Sequence, residues 1–210
     1  MQEKKTTTAY REGLKNQILA TAMEAFAAQG IRAVKMDDIA RTLTISKRTL
    51  YEIYSNKEVL LFETVRKKRS DGEQWIKERL AASANVIDII LQIYMQKAEE
   101  FRSTNQLFYT DLEKYPQILR FLRQDSQTQK LRLKQFLERG IDEGYFRRDV
   151  NTDLVMLSFE ALGENIQRHS LYKLYTFDEL FFNVFMVMLR GISTQQGIEE
   201  IDNSMKNIMK

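Results

Sequence analysis

The chain has 210 residues, of which 43% are hydrophobic and 29% are charged, so it can bury a sizeable core and is not intrinsically disordered. It has no cysteine, which excludes disulfides, zinc–thiolate and iron–sulfur sites and cysteine nucleophiles, and which fits a reducing compartment. The formal charge of +3 is uneven, because residues 1–69 carry 14 Lys and Arg against 8 Asp and Glu, whereas the remainder carries 18 against 21. This asymmetry predicts a polyanion-binding N-terminal part and a neutral-to-acidic body.

The sequence shows no targeting or membrane-spanning segment. Residues 1–13 are polar and lack the apolar stretch of a secretory signal peptide. No run approaches the roughly 18 consecutive apolar residues of a transmembrane helix. We therefore expect a cytoplasmic protein without a membrane partner.

Helical periodicity dominates the chain, which has one proline, eight glycines and no alternating strand pattern bounded by turns. The fold class predicted is all-α. We expect a mobile N-terminal tail over residues 1–10 and a frayed polar end over residues 196–210. The predicted helices span about 11–29, 36–43, 47–54, 57–69, 73–82, 85–103, 105–114, 117–140, 151–171 and 177–195.

Two short predicted helices, 36–43 and 47–54, are joined by a tight turn and follow a longer helix, which is the pattern of a helix-turn-helix motif. Leu50 and Ile53 lie one turn apart and are expected to pack inward, whereas Ser46 is a natural N-cap for a polar first turn. In this motif the second helix enters the major groove of DNA with its N-terminal residues first. The segment therefore predicts a DNA-binding domain.

Side chains around the second helix of this motif have the chemistry for contacting DNA. Arg48 can bind guanine in bidentate fashion, and tyrosine hydroxyls and lysines can bind phosphate. The alternative is that the basic residues form a solvated surface, but helix lengths, turn, apolar spacing and polar N-terminal residues together favour DNA. The DNA-binding residues predicted from the motif are Ser46, Lys47, Arg48, Thr49, Tyr51, Tyr54 and Lys57.

Residues 26–65 closely resemble the TetR family of bacterial transcriptional regulators. The matching features are Phe26, Gly30, the run Asp38-Ile39-Ala40, the run Ser46-Lys47-Arg48-Thr49-Leu50-Tyr51, Tyr54, and the run Ser55-Asn56-Lys57-Glu58. The resemblance implies a three-helix DNA-binding domain over residues 1–56, including the tail. It also implies a helical regulatory and dimerisation domain over residues 57–210.

Three positions depart from the family pattern. The turn glycine is Thr44 here, and a β-branched residue is penalised at positive φ, so we expect a strained or altered turn. The usual threonine cap of the second helix is Lys35, which loses a cap and adds a candidate phosphate contact, so Lys35 joins the predicted DNA-binding residues. Arg48 replaces a residue that is often small in the family.

The resemblance further implies a homodimer formed by the last two long helices. Ordinary core packing is the alternative for each residue, but together these helices are more apolar than one packed face requires. The predicted dimer-interface residues are Leu154, Leu157, Leu162, Phe181, Phe182, Phe185 and Leu189.

A small-molecule pocket in the body is also implied by the resemblance, with core or surface positions as the alternative for each residue. The candidate ligand-binding residues are Trp75, Tyr94, Phe108, Tyr109, Tyr115, Met156, Asn165 and His169. His169 is the sole histidine and cannot by itself make a metal site. Neither a catalytic set nor a phosphate-binding loop is recognisable, so we expect no enzyme activity, no cofactor and no metal.

Two functional hypotheses follow from the sequence. The first is a homodimeric repressor that a small-molecule effector releases from a palindromic operator on double-stranded DNA. The second is an architectural or division-linked DNA-binding protein that uses the same fold with a protein partner and no small ligand. An apolar cavity with a few polar groups in the body favours the first, and a filled core favours the second.

Overall fold

The computed structural model of the protein describes residues 2–82, 85–124 and 126–208. Over these residues the chain is all-α, as predicted, and Phe146 and Ser193 form an isolated antiparallel bridge without extending into a strand. The helices in chain order are α1 (Gln2–Gln29), α2 (Met36–Thr42), α3 (Lys47–Ile53), α4 (Lys57–Ala81), α5 (Val86–Ser103), α6 (Gln106–Leu112), α7 (Pro116–Gln124), α8 (Ser126–Asp142), α9 (Thr152–Arg168), α10 (Phe177–Leu180), α11 (Met186–Ile192) and α12 (Gln195–Ile208). A π-helical turn, Phe181–Phe185, joins α10 to α11.

The chain forms two compact units, the first of which comprises residues 1–74 and 102–123. Its core contains the four-residue periodic stripe of α1, because Leu14, Ile18, Ala22 and Phe26 are all buried. From the other helices of this unit, the buried apolar core residues include Ile39, Leu50, Leu60, Leu61, Phe108 and Ile118. Helices α6 and α7 therefore belong to the same core as the helix-turn-helix segment.

The second unit comprises residues 75–101 and 124–210. Its core is built mainly from α5, α8, α11 and α12, with a run of stacked aromatic rings beside α5. The fully buried apolar residues include Val86, Ile87, Leu91, Phe146, Leu189 and Ile201. The predicted functional division at residue 56 differs from these units and stays a prediction.

Several predicted helix limits are wrong. α1 begins at Gln2 rather than at residue 11, and so includes the segment expected to be a mobile tail. The predicted helices 57–69 and 73–82 form one helix, α4, which is continuous through residues 70–72, where the sequence allows a break, and Lys67 pairs with Asp71 across one turn. The segment 117–140 is divided between α7 and α8, and the segment 177–195 is interrupted by the π-helical turn.

The prediction of a frayed C-terminal end is also wrong, because residues 195–208 form α12. Ile201 and Met205 are buried one turn apart and attach this helix to the core of the second unit. The hydroxyl of Thr194 accepts a hydrogen bond from the Gly197 backbone N–H at 3.1 Å and caps the helix.

Candidate nucleic-acid interface

The start of α2 lacks a side-chain cap, as the sequence indicates. Lys35 occupies the N-cap position with an extended backbone, and its side chain forms no capping hydrogen bond. The carboxylate of Asp38 accepts a hydrogen bond from the Lys35 backbone N–H at 3.4 Å, which is the return half of a capping box. The Lys35 side chain is exposed and can reach an anion outside the protein.

The turn between α2 and α3 is a Schellman motif with threonine in the place of glycine. The Ile45 N–H donates to the Ala40 carbonyl at 3.0 Å, and the Thr44 N–H donates to the Arg41 carbonyl at 3.1 Å. Thr44 has φ 55°, in the left-handed region that disfavours a β-branched residue. The turn is therefore made with the expected geometry and carries the strain expected from the sequence.

α3 is held at its beginning by hydroxyl groups. The Ser46 hydroxyl accepts a hydrogen bond from the Thr49 backbone N–H at 3.0 Å, which confirms Ser46 as the N-cap. The hydroxyls of Ser46 and Thr49 are also 2.8 Å apart and hydrogen-bonded to each other. Leu50 is fully buried and Ile53 is half-buried, so α3 packs inward as predicted.

Both cations of α3 are paired with carboxylates. Lys47 forms an ion pair with Asp37 of α2. Nε of Arg48 lies 2.8 Å from Oε1 of Glu52, and this hydrogen bond raises the pKa of Arg48. Lys and Arg carry more N–H donors than these single contacts use, so either cation can contact DNA without breaking its ion pair. Glu52 is not among the residues predicted from the sequence, although its four-residue spacing from Arg48 is a usable signal.

Tyr51 is exposed, whereas Tyr54 and Lys57 are built into the protein. Tyr54 is buried, and burial raises its pKa. The Lys57 ammonium donates to the carbonyls of Ile31 at 3.0 Å and Val34 at 3.0 Å, with Arg32 at 3.3 Å as a third acceptor. Burial lowers the pKa of Lys57. The phosphate contacts of these residues stay predictions. In the structure Tyr54 packs in the core, and Lys57 binds backbone carbonyls of the segment between α1 and α2.

α6 supports the turn that precedes α2. The buried carboxylate of Asp111 accepts a hydrogen bond from the Arg32 backbone N–H at 2.8 Å. The side chain of Asn105 donates to the Ala28 carbonyl at 3.2 Å, and its backbone N–H donates to the Ala27 carbonyl at 2.7 Å. These bonds satisfy carbonyls at the end of α1 and fix the segment that leads to Lys35.

The candidate ligand-binding residues are divided between the two units. Those in the core of the first unit or packed against it are Phe108, Tyr109 and Tyr115. Those in the second unit are Trp75, Tyr94, Met156, Asn165 and His169. Among these, Asn165 and His169 are exposed, while the Tyr94 hydroxyl donates to Asp178 Oδ1 at 2.9 Å.

Gln92 of α5 is not among the candidate ligand-binding residues predicted from the sequence. In the part of the chain that the structure describes, its side-chain oxygen is buried and has no hydrogen-bond partner. A buried, unsatisfied oxygen is unfavourable unless something outside the protein donates to it. The same described residues contain no cluster of three or more His, Asp or Glu suited to a metal ion.

The predicted dimer residues differ in exposure. Two of them, Phe181 and Leu189, are buried in the core of the second unit, and two more, Leu162 and Phe185, are half-buried. The exposed members are Leu154, Leu157 and Phe182. Val187 of α11, which is not among the predicted interface residues, is also exposed.

Comparison with known proteins places the helix-turn-helix segment in a described family. The profile of bacterial regulatory proteins of the tetR family matches residues 18–64, from the middle of α1 into α4. Within the described residues, no helix is long and apolar enough to cross a membrane.

Relatives that match a larger part of the chain are regulators. The chain is 28% identical over 151 residues to the HTH-type transcriptional repressor KstR2 of Mycobacterium tuberculosis, covering 67% of this chain and 73% of that protein. It is 26% identical over 149 residues to the HTH-type transcriptional regulator YdeS of Bacillus subtilis, covering 68% and 72%. A regulator from Saccharomonospora viridis in complex with choline shares the fold, with a TM-score of 0.65, 19% identity and coverage of 88% and 100%.

Proposed function

Since residues 18–64 match the profile of bacterial regulatory proteins of the tetR family, we propose that the chain is a member of this family and a homodimeric repressor that a small-molecule ligand releases from a palindromic operator. Residues 1–56 are the proposed DNA-binding domain, and residues 57–210 the proposed regulatory and dimerisation domain. The observation that carries the proposal is the outer surface of α3, which presents Lys47, Arg48 and Tyr51 away from the core while Leu50 anchors the helix. No catalytic role is proposed.

Dimerisation is supported by exposed apolar side chains on α9, on the π-helical turn and on α11. Burial of these side chains against another apolar surface is favourable relative to their exposure to water. They are Leu154, Leu157, Phe182 and Val187. A dimer also meets a requirement of DNA, because two recognition helices must lie about 34 Å apart to enter successive major grooves.

A small ligand is supported by the buried oxygen of Gln92, which a hydroxyl or N–H donor would satisfy. The regulator solved with choline demonstrates that this fold can hold a small molecule in that protein. The ligand must bind the released state more tightly than the DNA-bound state, since coupling requires different affinities for the two. α4 contributes residues to both units and is the proposed transmitter.

The proposal is tested by selecting bound duplexes from a random DNA pool with the full-length protein at near-physiological salt. We expect enrichment of a palindrome whose half-sites lie about one helical turn apart. If no sequence is enriched and binding disappears as salt rises, the protein holds only the DNA backbone. That result would contradict the repressor and support an architectural DNA-binding protein.

A further inference from the structure

The outer face of α3 presents a carboxylate beside its arginine. We propose that Glu52 is a specificity-determining residue that accepts a hydrogen bond from the exocyclic amino group of cytosine, next to a guanine bound by Arg48. The inference rests on the proposed DNA-binding function and deepens it, because it assigns the base that a second residue of the same helix recognises.

Helix geometry places Glu52 among the residues most directed toward DNA. Arg48 and Glu52 are each two residues from the fully buried Leu50, which puts both of them about 200° around the helix from it. The side chain of Arg48 is 88% exposed and that of Glu52 is 57% exposed. In a helix that lies in the major groove, side chains opposite the buried face are directed into the groove.

The ion pair leaves suitable atoms for two bases. It is formed through Nε of Arg48 and Oε1 of Glu52, at 2.8 Å. The terminal nitrogens of the guanidinium and Oε2 of the carboxylate take no part in this bond. A guanidinium edge matches O6 and N7 of guanine, and a carboxylate oxygen can accept from N4 of cytosine.

Helix stability does not account for a glutamate at this position. In an Arg–Glu pair with the acid at the C-terminal side, the order is the less favourable one for a helix. Glu52 is also the penultimate residue of α3 (Lys47–Ile53), where the helix dipole disfavours a carboxylate. A solvent-exposed pair of this kind contributes little to folding.

The negative charge of Glu52 makes it selective. Near phosphates a carboxylate is repelled, so its presence in the groove is favourable only where a base donates a hydrogen bond to it. The amino group of cytosine is flanked by an acceptor on one side only, whereas that of adenine lies between N7 of the same base and O4 of thymine. Glu52 therefore favours cytosine over adenine and excludes bases without a donor.

The test compares operators selected from a random pool by the wild-type protein and by the Glu52→Gln, Glu52→Ala and Arg48→Ala variants. Because Glu52 is exposed, the variants are expected to fold, and thermal unfolding checks this. The matched control is Glu24→Gln, which removes the same charge from an exposed position on α1.

We expect the wild-type operator to contain guanine and cytosine close together in each half-site. Glu52→Gln should replace cytosine by adenine, since glutamine is bidentate to adenine. The wild-type protein should prefer the cytosine-containing base pair over others at that position roughly 10-fold or more. Glu52→Ala should reduce this preference to about 3-fold or less. Arg48→Ala should lose the guanine, and Glu24→Gln should select the wild-type operator.

The outcomes separate the inference from the proposed function. If the wild-type protein enriches an operator and Glu52→Ala selects the same bases with the same discrimination, Glu52 is only an ion-pair partner and the inference is wrong. If the wild-type protein enriches no sequence, the proposed repressor function fails, and base recognition by Glu52 fails with it.

Discussion

At the residue scale, Thr44 is a test of strain within the helix-turn-helix motif. It holds φ 55° because the Schellman turn requires the left-handed region at this position. Thr44→Gly should raise the free energy of unfolding by about 0.5–1 kcal/mol, because relief of roughly 1–2 kcal/mol of left-handed strain exceeds the entropic cost of glycine. Urea unfolding of the full-length protein measures the change.

The control is Thr42→Gly, in the last turn of α2, where Thr42 has a helical backbone and its hydroxyl donates to the Asp38 carbonyl at 3.0 Å. That variant should lose stability, because glycine is a poor helix former. Equal losses from both substitutions would show that Thr44 is not strained.

Lys57 is a second residue whose role is decided by its contacts. Its ammonium donates to three backbone carbonyls of the segment between α1 and α2. Lys57→Met should lower the free energy of unfolding by about 1–3 kcal/mol, since methionine keeps the bulk but leaves these carbonyls unsatisfied. Chemical denaturation checks the loss.

Lys47→Met serves as the comparison for Lys57, because Lys47 is exposed and makes only a surface ion pair with Asp37. The free energy of unfolding of the Lys47→Met variant should differ from that of the wild type by less than about 0.5 kcal/mol. If Lys57→Met also changes the free energy of unfolding only slightly, Lys57 is not needed for stability and only its predicted phosphate contact remains.

At the scale of elements, the helix-turn-helix segment was predictable because its signals are local. The limits of α2 and α3, the cap by Ser46 and the inward position of Leu50 all follow from neighbours in the sequence. The partners of Lys57 did not follow, because its acceptors lie more than twenty residues earlier in the chain. The pairing of Glu52 with Arg48 could have been predicted, because a four-residue spacing places both side chains on one face of a helix.

α12 was missed for a different physical reason. Gly197 lies in the segment predicted to be a frayed end, whereas in the structure it lies where α12 packs against the backbone of Tyr145. A Cβ at Gly197 would lie 2.1 Å from the carbonyl oxygen of Tyr145. The apolar spacing of Ile198, Ile201 and Met205 was visible in the sequence and would have favoured a helix.

This close approach gives an element-scale prediction. Gly197→Ala should lower the free energy of unfolding by about 1–3 kcal/mol, since the added methyl group forces backbone apart. Gly72→Ala is the matched substitution, because Gly72 lies inside α4 and a Cβ there meets nothing within 4 Å. It should gain about 0.5–1 kcal/mol from helix propensity. Thermal unfolding measures the stability of both variants. A loss from Gly197→Ala and a gain from Gly72→Ala would show that only Gly197 is required for close packing.

At the scale of the whole molecule, the exposed apolar side chains of α9 and α11 are the proposed dimer interface. Leu157 of α9 is 56% exposed, and Leu107 of α6 is 55% exposed, so the two leucines are a matched pair in different units. Leu157→Asp should convert the proposed dimer to a monomer, because a charge buried at an apolar interface is strongly unfavourable. Leu107→Asp should leave the oligomeric state unchanged.

Sedimentation velocity at micromolar concentration measures this difference, and affinity for the selected palindrome measures its consequence. A monomer engages one half-site at a time and loses the gain from simultaneous binding of two recognition helices. Leu157→Asp should therefore weaken palindrome binding by at least 10²-fold, while affinity for a single half-site stays close to the wild-type value. A wild-type protein that sediments as a monomer on the palindrome would exclude the dimer, and a dimeric Leu157→Asp variant would move the interface away from α9.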